Sequence, residues 1–232
     1  AASRHPAIKA VSPQAPICDW YEGDDIHHNG ALMMMDIVSF LPYLDATARQ
    51  KPTTEMGEMV PIIEGNVWDY FMNNTPFDIT RQIGGRITLW NDIVAHPDYD
   101  AWWRERDARR ATKGITSSVL MVGGTYDAED PFGVWKVYRS LKENNPKLDC
   151  RIVVGPWAHG AWRSNDDANR LGEVEFSPES MSEFYRKEVE FPFFEQKLRG
   201  VGDGGASTSG ALIFFSGENC WREMEEWNAE KQ

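Results

Sequence analysis

The sequence predicts an α/β fold built on a mainly parallel sheet. Two short apolar runs carry that prediction, Val119-Leu120-Met121-Val122 and Arg151-Ile152-Val153-Val154, each leading into glycine. A brief, continuously apolar run bounded by glycine is the pattern of an interior parallel strand, covered on both faces. Between the two, Asp130-Pro131 opens a segment with Val134, Val137, Tyr138 and Leu141 at helical spacing. A strand, a helix and a strand form a right-handed crossover unit whose strands lie parallel and side by side.

Each strand also runs into a residue able to do chemistry. Gly123-Gly124-Thr125-Tyr126 leads to Asp127, and Gly155-Pro156-Trp157-Ala158 leads to His159. Ligands of open parallel sheets bind outside the carboxyl ends of the strands, where these two residues fall. An Asp beside a His holds the imidazole in one tautomer and stabilises its charged form. Asp127 and His159 are therefore candidates for the acid and base of a nucleophilic triad, in the chain order that α/β-hydrolases use after their nucleophile. Glu129 and Asp130 are alternatives for the acid, although Asp130 is also placed to cap the helix opened by Pro131. Trp157 is a candidate substrate contact; it and Trp162 either wall the pocket or pack under the sheet.

Composition narrows the function classes. With 41% hydrophobic and 12% aromatic residues, the 232-residue chain has ample material for a core. A net charge of −12 and a pI near 4.9 oppose binding to nucleic acid or anionic membrane, because both need a basic surface. The longest apolar runs, Ala31 to Met35 and Ala211 to Phe215, are far short of a membrane span. Cys18, Cys150 and Cys220 are widely separated and share no ligand spacing, so they read as apolar fillers.

Taken in order, His5-Pro6-Ala7-Ile8-Lys9-Ala10-Val11 is a short strand followed by proline-bracketed turns. The polar cluster Asp24, Asp25, His27 and His28 invites a metal reading, but adjacent residues on an extended chain point opposite ways. A hydrogen-bonded loop fits better, and no metal or other cofactor is expected. From Ala31 to Arg110 the pattern is helical, with prolines at Pro42, Pro52 and Pro61 and one helix predicted over Thr80 to Ala95. Such an insertion between strands has the form of a cap over a sheet. Ser177-Pro178-Glu179 is read as a helix start, and the helix continues past Pro192 to stop at Gly200. A glycine- and serine-rich linker over 201–210 then leads to strands at Ala211 to Phe215 and Cys220 to Met224, expected to open a second β-rich domain.

Five motifs taken together resemble the Xaa-Pro dipeptidyl-peptidase (S15) and cocaine-esterase-like serine hydrolases. They are His5-Pro6-Ala7-Ile8-Lys9-Ala10; Gly23-Asp24-Asp25 with His27-His28-Asn29-Gly30-Ala31; Gly123-Gly124-Thr125-Tyr126-Asp127-Ala128-Glu129-Asp130; Gly155-Pro156-Trp157-Ala158-His159-Gly160; and Phe191-Pro192-Phe193-Phe194. Within that group the chain is most similar to the α-amino-acid ester hydrolases and glutaryl-7-aminocephalosporanic acid acylases. The resemblance implies an α/β-hydrolase core, an inserted helical cap and a C-terminal jelly roll. Its boundaries in this chain are 1–26 for a core strand segment, 27–112 for the cap, 113–200 for the second half of the core and 201–232 for the linker and first jelly-roll strands.

The resemblance makes Asp127 the triad acid and His159 the base. It also implies a serine in a Gly-x-Ser-Tyr-x-Gly elbow, which this sequence lacks; Ser207 and Ser209 have neither the flanking glycines nor a preceding strand. The expectation is that residue 1 follows the nucleophile, that Gln232 falls inside the jelly roll, and that the chain alone is inactive. A missing segment, a partner chain or self-association would then cover a bare sheet edge. The substrate implied is a small ester or amide, with Asp100 as part of a carboxylate cluster for a free ammonium. A glutaryl-type substrate would instead want a cation such as Arg104 or Arg106. A periplasmic or secreted location is implied by the resemblance only. The rival readings are an Xaa-Pro dipeptidyl-peptidase and a non-catalytic binding module on the same fold.

Overall fold

The computed structural model describes residues 2–44, 63–83, 85–164, 168–177, 179–205 and 210–227. Expectations resting on Pro52, Pro61, Pro178, Ser207 and Ser209 lie outside the described residues. The chain divides into two units, Ala1–Cys18 with Ala108–Gln232, and Asp19–Asp107.

The first unit is organised by a five-stranded sheet in the order Ala10–Val11, Ser118–Gly124, Cys150–Gly155, Ala211–Phe215, Cys220–Met224. The first four strands are parallel and the last is antiparallel. Val119 stands beside Cys150 and Gly124 beside Gly155, so the two strands at the centre of the reading are neighbours that end level with each other. Their alternation, with both faces covered, explains why the two runs are almost wholly apolar; Arg151, the exception, is buried and bonded to Asp149, Gly204 O and Gln196. Val119, Met121, Ile152 and Val154 face one layer, packing on Val134, Val137, Tyr138 and Leu141 of the Pro131–Asn144 helix. Leu120, Val122 and Val153 face the other, against Trp157, Trp162, Tyr185, Val189 and Phe193. Each buried aliphatic side chain contributes about 1.5–3 kcal/mol relative to exposure, which makes this the most secure part of the unit.

Ala211–Phe215 departs from expectation. It joins the core sheet, pairing in parallel with Cys150–Gly155 through Ile152 and Ala211, rather than opening a separate β-rich body. Leu212 and Phe214 reach one core layer, and Ala211 and Ile213 the other. That two-faced burial is why this run, too, carries no polar alternation.

The helix over 181–199 starts later than expected. Ser180 is its N-cap, accepting from the Glu183 N–H, while Ser177 Oγ accepts from the Glu179 N–H in the turn before it. Wider π-type turns at Tyr185–Glu190 and Glu195–Arg199 flank Pro192. Proline has no N–H and crowds the carbonyl one turn back, and a wider turn relieves that clash. The helix stops at Gly200 in the left-handed conformation, as the sequence predicts.

Among its described residues the second unit is mainly helical, with a hairpin of His27–His28 and Ala31–Leu32. Its helices are Met34–Leu44, Val67–Asn73, Pro76–Ile83, Thr88–Ala95 and Ala101–Arg106. Ile26, Ile37, Ile79, Ile83, Ile87, Trp90 and Trp103 form its core. The single helix predicted over Thr80 to Ala95 is two, because Gly85 takes a positive φ of 71° between them.

Candidate active site

Asp127 and His159 meet. Their strands are neighbours, and two backbone bonds tie the loops that follow, Thr125 N–H to Gly155 O at 2.8 Å and Tyr126 N–H to Trp157 O at 3.1 Å, while Asp127 N–H to Gly124 O at 3.4 Å closes the turn of the first loop. Tight passage of these loops depends on missing side chains. A Cβ on Gly124 would lie 2.1 Å from Trp157 O, and one on Gly155 would lie 2.6 Å from the Trp157 ring.

Within that frame His159 Nδ1 is 2.9 Å from Asp127 Oδ2. The other oxygen, Oδ1, accepts from the backbone N–H groups of Glu129 at 2.9 Å and Asp130 at 3.2 Å. The carboxylate is thus fixed on both sides, and its side chain is 1% exposed against 46% for His159. An ionised carboxylate only accepts, so the proton of a neutral His159 belongs on Nδ1 and the lone pair on Nε2. This is the arrangement of a general base with its orienting acid.

Two more carboxylates lie close. Glu129 Oε2 and Asp130 Oδ2 are each 3.6 Å from His159 Nδ1, Glu129 half-exposed and Asp130 buried. Asp130 holds the N-cap position of the Pro131–Asn144 helix without a side-chain capping bond, contrary to the capping role expected of it. Asp127, at 2.9 Å, is the one hydrogen-bonded to the ring. Asp127, Glu129 and His159 also present donor atoms within 4.8 Å of one another, a spacing that would admit a cation. The hydrogen bonds of Asp127 already account for its placement.

Trp157 is 1% exposed and sits among Trp162, Tyr185 and Trp221. Of the two roles open to it, packing under the sheet is the one its burial fits. Asp100 lies in the helical unit as the N-cap of Ala101–Arg106, accepting from the Trp102 N–H and bonded to His96 Nδ1 at 2.6 Å. The His96 bond, ahead of the backbone N–H groups, holds its carboxyl below the usual range. In the same unit Asp24 accepts from the Asp19 N–H and His27 Nδ1 lies 3.2 Å from Trp20 O, so two of the four side chains of the suspected metal cluster serve their own loop. Sequence reasoning passed over His96, whose bond to Asp100 is made across the loop between two helices, where no helical spacing signals it.

The family model for X-Pro dipeptidyl-peptidase (S15 family) matches residues 1–161. The chain belongs to the S15 family. Among its relatives, the cocaine esterase of Rhodococcus sp. (strain MB1 Bresler) is 23% identical over 229 residues, covering 95% of this chain and 38% of that protein. An aminopeptidase from the marine sediment archaeon Thaumarchaeota archaeon superposes with a TM-score of 0.81 at 30% identity, over 98% of this chain and 36% of its own. A selenomethionine-labelled α-amino acid ester hydrolase shares the fold with a TM-score of 0.79 at 24% identity, over 97% of this chain and 36% of its own. This S15 chain therefore spans a little over a third of the length of these relatives.

Proposed function

We propose that this chain supplies the acid and base of a serine hydrolase that cleaves esters or amides of α-amino acids through an acyl-enzyme. The observation that carries the reading is the 2.9 Å bond from Nδ1 of the half-exposed His159 to a buried, doubly anchored Asp127. In this reading the nucleophile is a serine outside the 232 residues of the chain. Its hydroxyl attacks the substrate carbonyl while His159 Nε2 takes the proton, and Asp127 stabilises the imidazolium. The imidazolium returns that proton to the departing alcohol or amine, leaving an acyl-serine. Water then attacks, giving its proton to His159; collapse releases the acid and restores the serine hydroxyl. Without the serine, the chain has no route to turnover above background.

Two observations favour a substrate with a free ammonium. Glu129 holds a half-exposed carboxylate beside the base, where a cation is attracted. One solved relative is named an aminopeptidase and another an α-amino acid ester hydrolase. Glu129 takes the role expected of Asp100, whose carboxylate is occupied by His96 and the Trp102 N–H. The match to the X-Pro dipeptidyl-peptidase model supports a second reading, release of an Xaa-Pro dipeptide, which uses the same acid, base and ammonium contact.

The test uses the complete protein, a fluorophosphonate probe, and chromogenic esters of one amino acid with a free or an acetylated amino group, beside an Xaa-Pro anilide. The expected result is covalent labelling, a preference for the free amino ester, and loss of labelling and turnover in His159→Ala. Glu129→Gln is expected to reduce the free-amino preference about tenfold. Undiminished turnover in His159→Ala would overturn the catalytic reading. Equal rates on free and acetylated esters would overturn the substrate class, and faster cleavage of the anilide would select the dipeptidase.

A further inference from the structure

The carboxylate of Asp127 fixes one atom of the His159 ring but not its plane. The plane is set by what the ring rests on, and Trp162 lies there edge-to-face, with centroids 6.1 Å apart and planes at 67°. Trp162 is 2% exposed. Its indole N–H donates to Gln14 Oε1 at 2.9 Å, across 148 residues of sequence. The amide of Gln14 donates in turn to Glu190 Oε1 at 2.8 Å, and its NH2 lies 3.3 Å from Tyr185 OH. Tyr185 OH also donates to Glu190 Oε1, at 3.0 Å.

This chain of bonds has one sense. An ionised carboxylate only accepts and an indole only donates, so a group between them must donate to one and accept from the other. A primary amide does both, and Glu190 dictates which way it faces: NH2 toward Glu190, carbonyl toward Trp162. The amide orientation fixes the indole, and the indole supports the imidazole. We propose that Gln14, oriented by Glu190, is a positioning residue for the catalytic base, acting through Trp162. The proposal rests on the reading of His159 as that base.

Two readouts on the complete protein separate the proposal from the functional reading. The first is the His159 Nδ1–H proton resonance, assigned by its loss in Asp127→Ala, which needs no turnover. The second is the split of kcat and KM on the preferred ester. Gln14→Met keeps the side-chain volume and removes both hydrogen-bonding atoms. It is expected to shift or broaden the Nδ1–H resonance and to lower kcat about tenfold, with KM within about twofold. Trp162→Phe, which keeps a ring but deletes the donor, is expected to do the same. Because both act on one bond, the double variant is expected to lose no more than either single one. A folded Gln14→Met protein with an unchanged resonance and unchanged kcat would overturn the proposal, as would losses that simply add in the double variant. A fall in melting temperature alone, with the resonance in place, would show that Gln14 is only structural. If Gln14→Met does not fold, the resonance in Trp162→Phe decides. If the wild-type protein hydrolyses nothing, the functional reading fails, and the resonance still decides whether Gln14 positions the ring.

Discussion

The α-carbon of Gly124 lies against the backbone of Trp157, so closely that a Cβ on it would stand 2.1 Å from the Trp157 carbonyl oxygen. That oxygen accepts the Tyr126 N–H, one of the bonds that hold the Asp127 loop to the His159 loop. The acid and the base therefore meet because one strand end carries no side chain.

Gly124→Ala is the direct check. Backbone cannot yield as a flexible side chain does, so the methyl group must push the two loops apart. The expected cost is about 2 kcal/mol or more, read as a lower midpoint in denaturant. The Asp127–His159 bond should lengthen with it, read as loss of the His159 Nδ1–H resonance. A variant of wild-type stability with that resonance intact would show that the loops tolerate the separation.

The parts of the site that were legible in sequence are those encoded locally. Asp127 and His159 each follow a glycine-bounded apolar run, and a parallel sheet aligns such ends without further information. Ala211–Phe215 was legible as a strand but not as a member of the core sheet, because an interior strand and the first strand of a new domain have the same local pattern. The Ser180 cap was hidden by Ser177, which offers the same side-chain chemistry three positions earlier. Gln14 was not legible at all. Its partners Trp162, Tyr185 and Glu190 lie on distant elements, and only the fold brings them together.

Asp127→Asn tests the tautomer. The amide oxygen of Asn still accepts the Glu129 and Asp130 N–H groups, so the loop should keep its shape. Its NH2 then faces His159 Nδ1 and forces the ring proton to Nε2, the position that must accept from the nucleophile. In the complete protein kcat is expected to fall about 10⁴-fold with little change in melting temperature. A loss of less than about tenfold would move the acid role to Glu129 or Asp130, each 3.6 Å from the ring.

The helical unit carries its own acid sensitivity. His27 is 4% exposed, between Tyr21 at 4.6 Å and Trp103 at 5.0 Å. Burial lowers its pKa from 6.5, more than the bond to Trp20 O raises it, so the folded protein keeps His27 neutral where the unfolded chain protonates it. The unfolded state then binds more protons, and stability rises with pH across that interval. The contribution is therefore complete above about pH 6.5 and lost as the pH falls toward the depressed folded value. Denaturant midpoints measured from pH 8 down to pH 5 should fall below about pH 6.5 in the wild-type protein. His27→Phe keeps an aromatic ring between Tyr21 and Trp103 and has no proton to gain. Its midpoints should fall less steeply over the same interval, while equal slopes for the two proteins would assign the acid sensitivity to other groups.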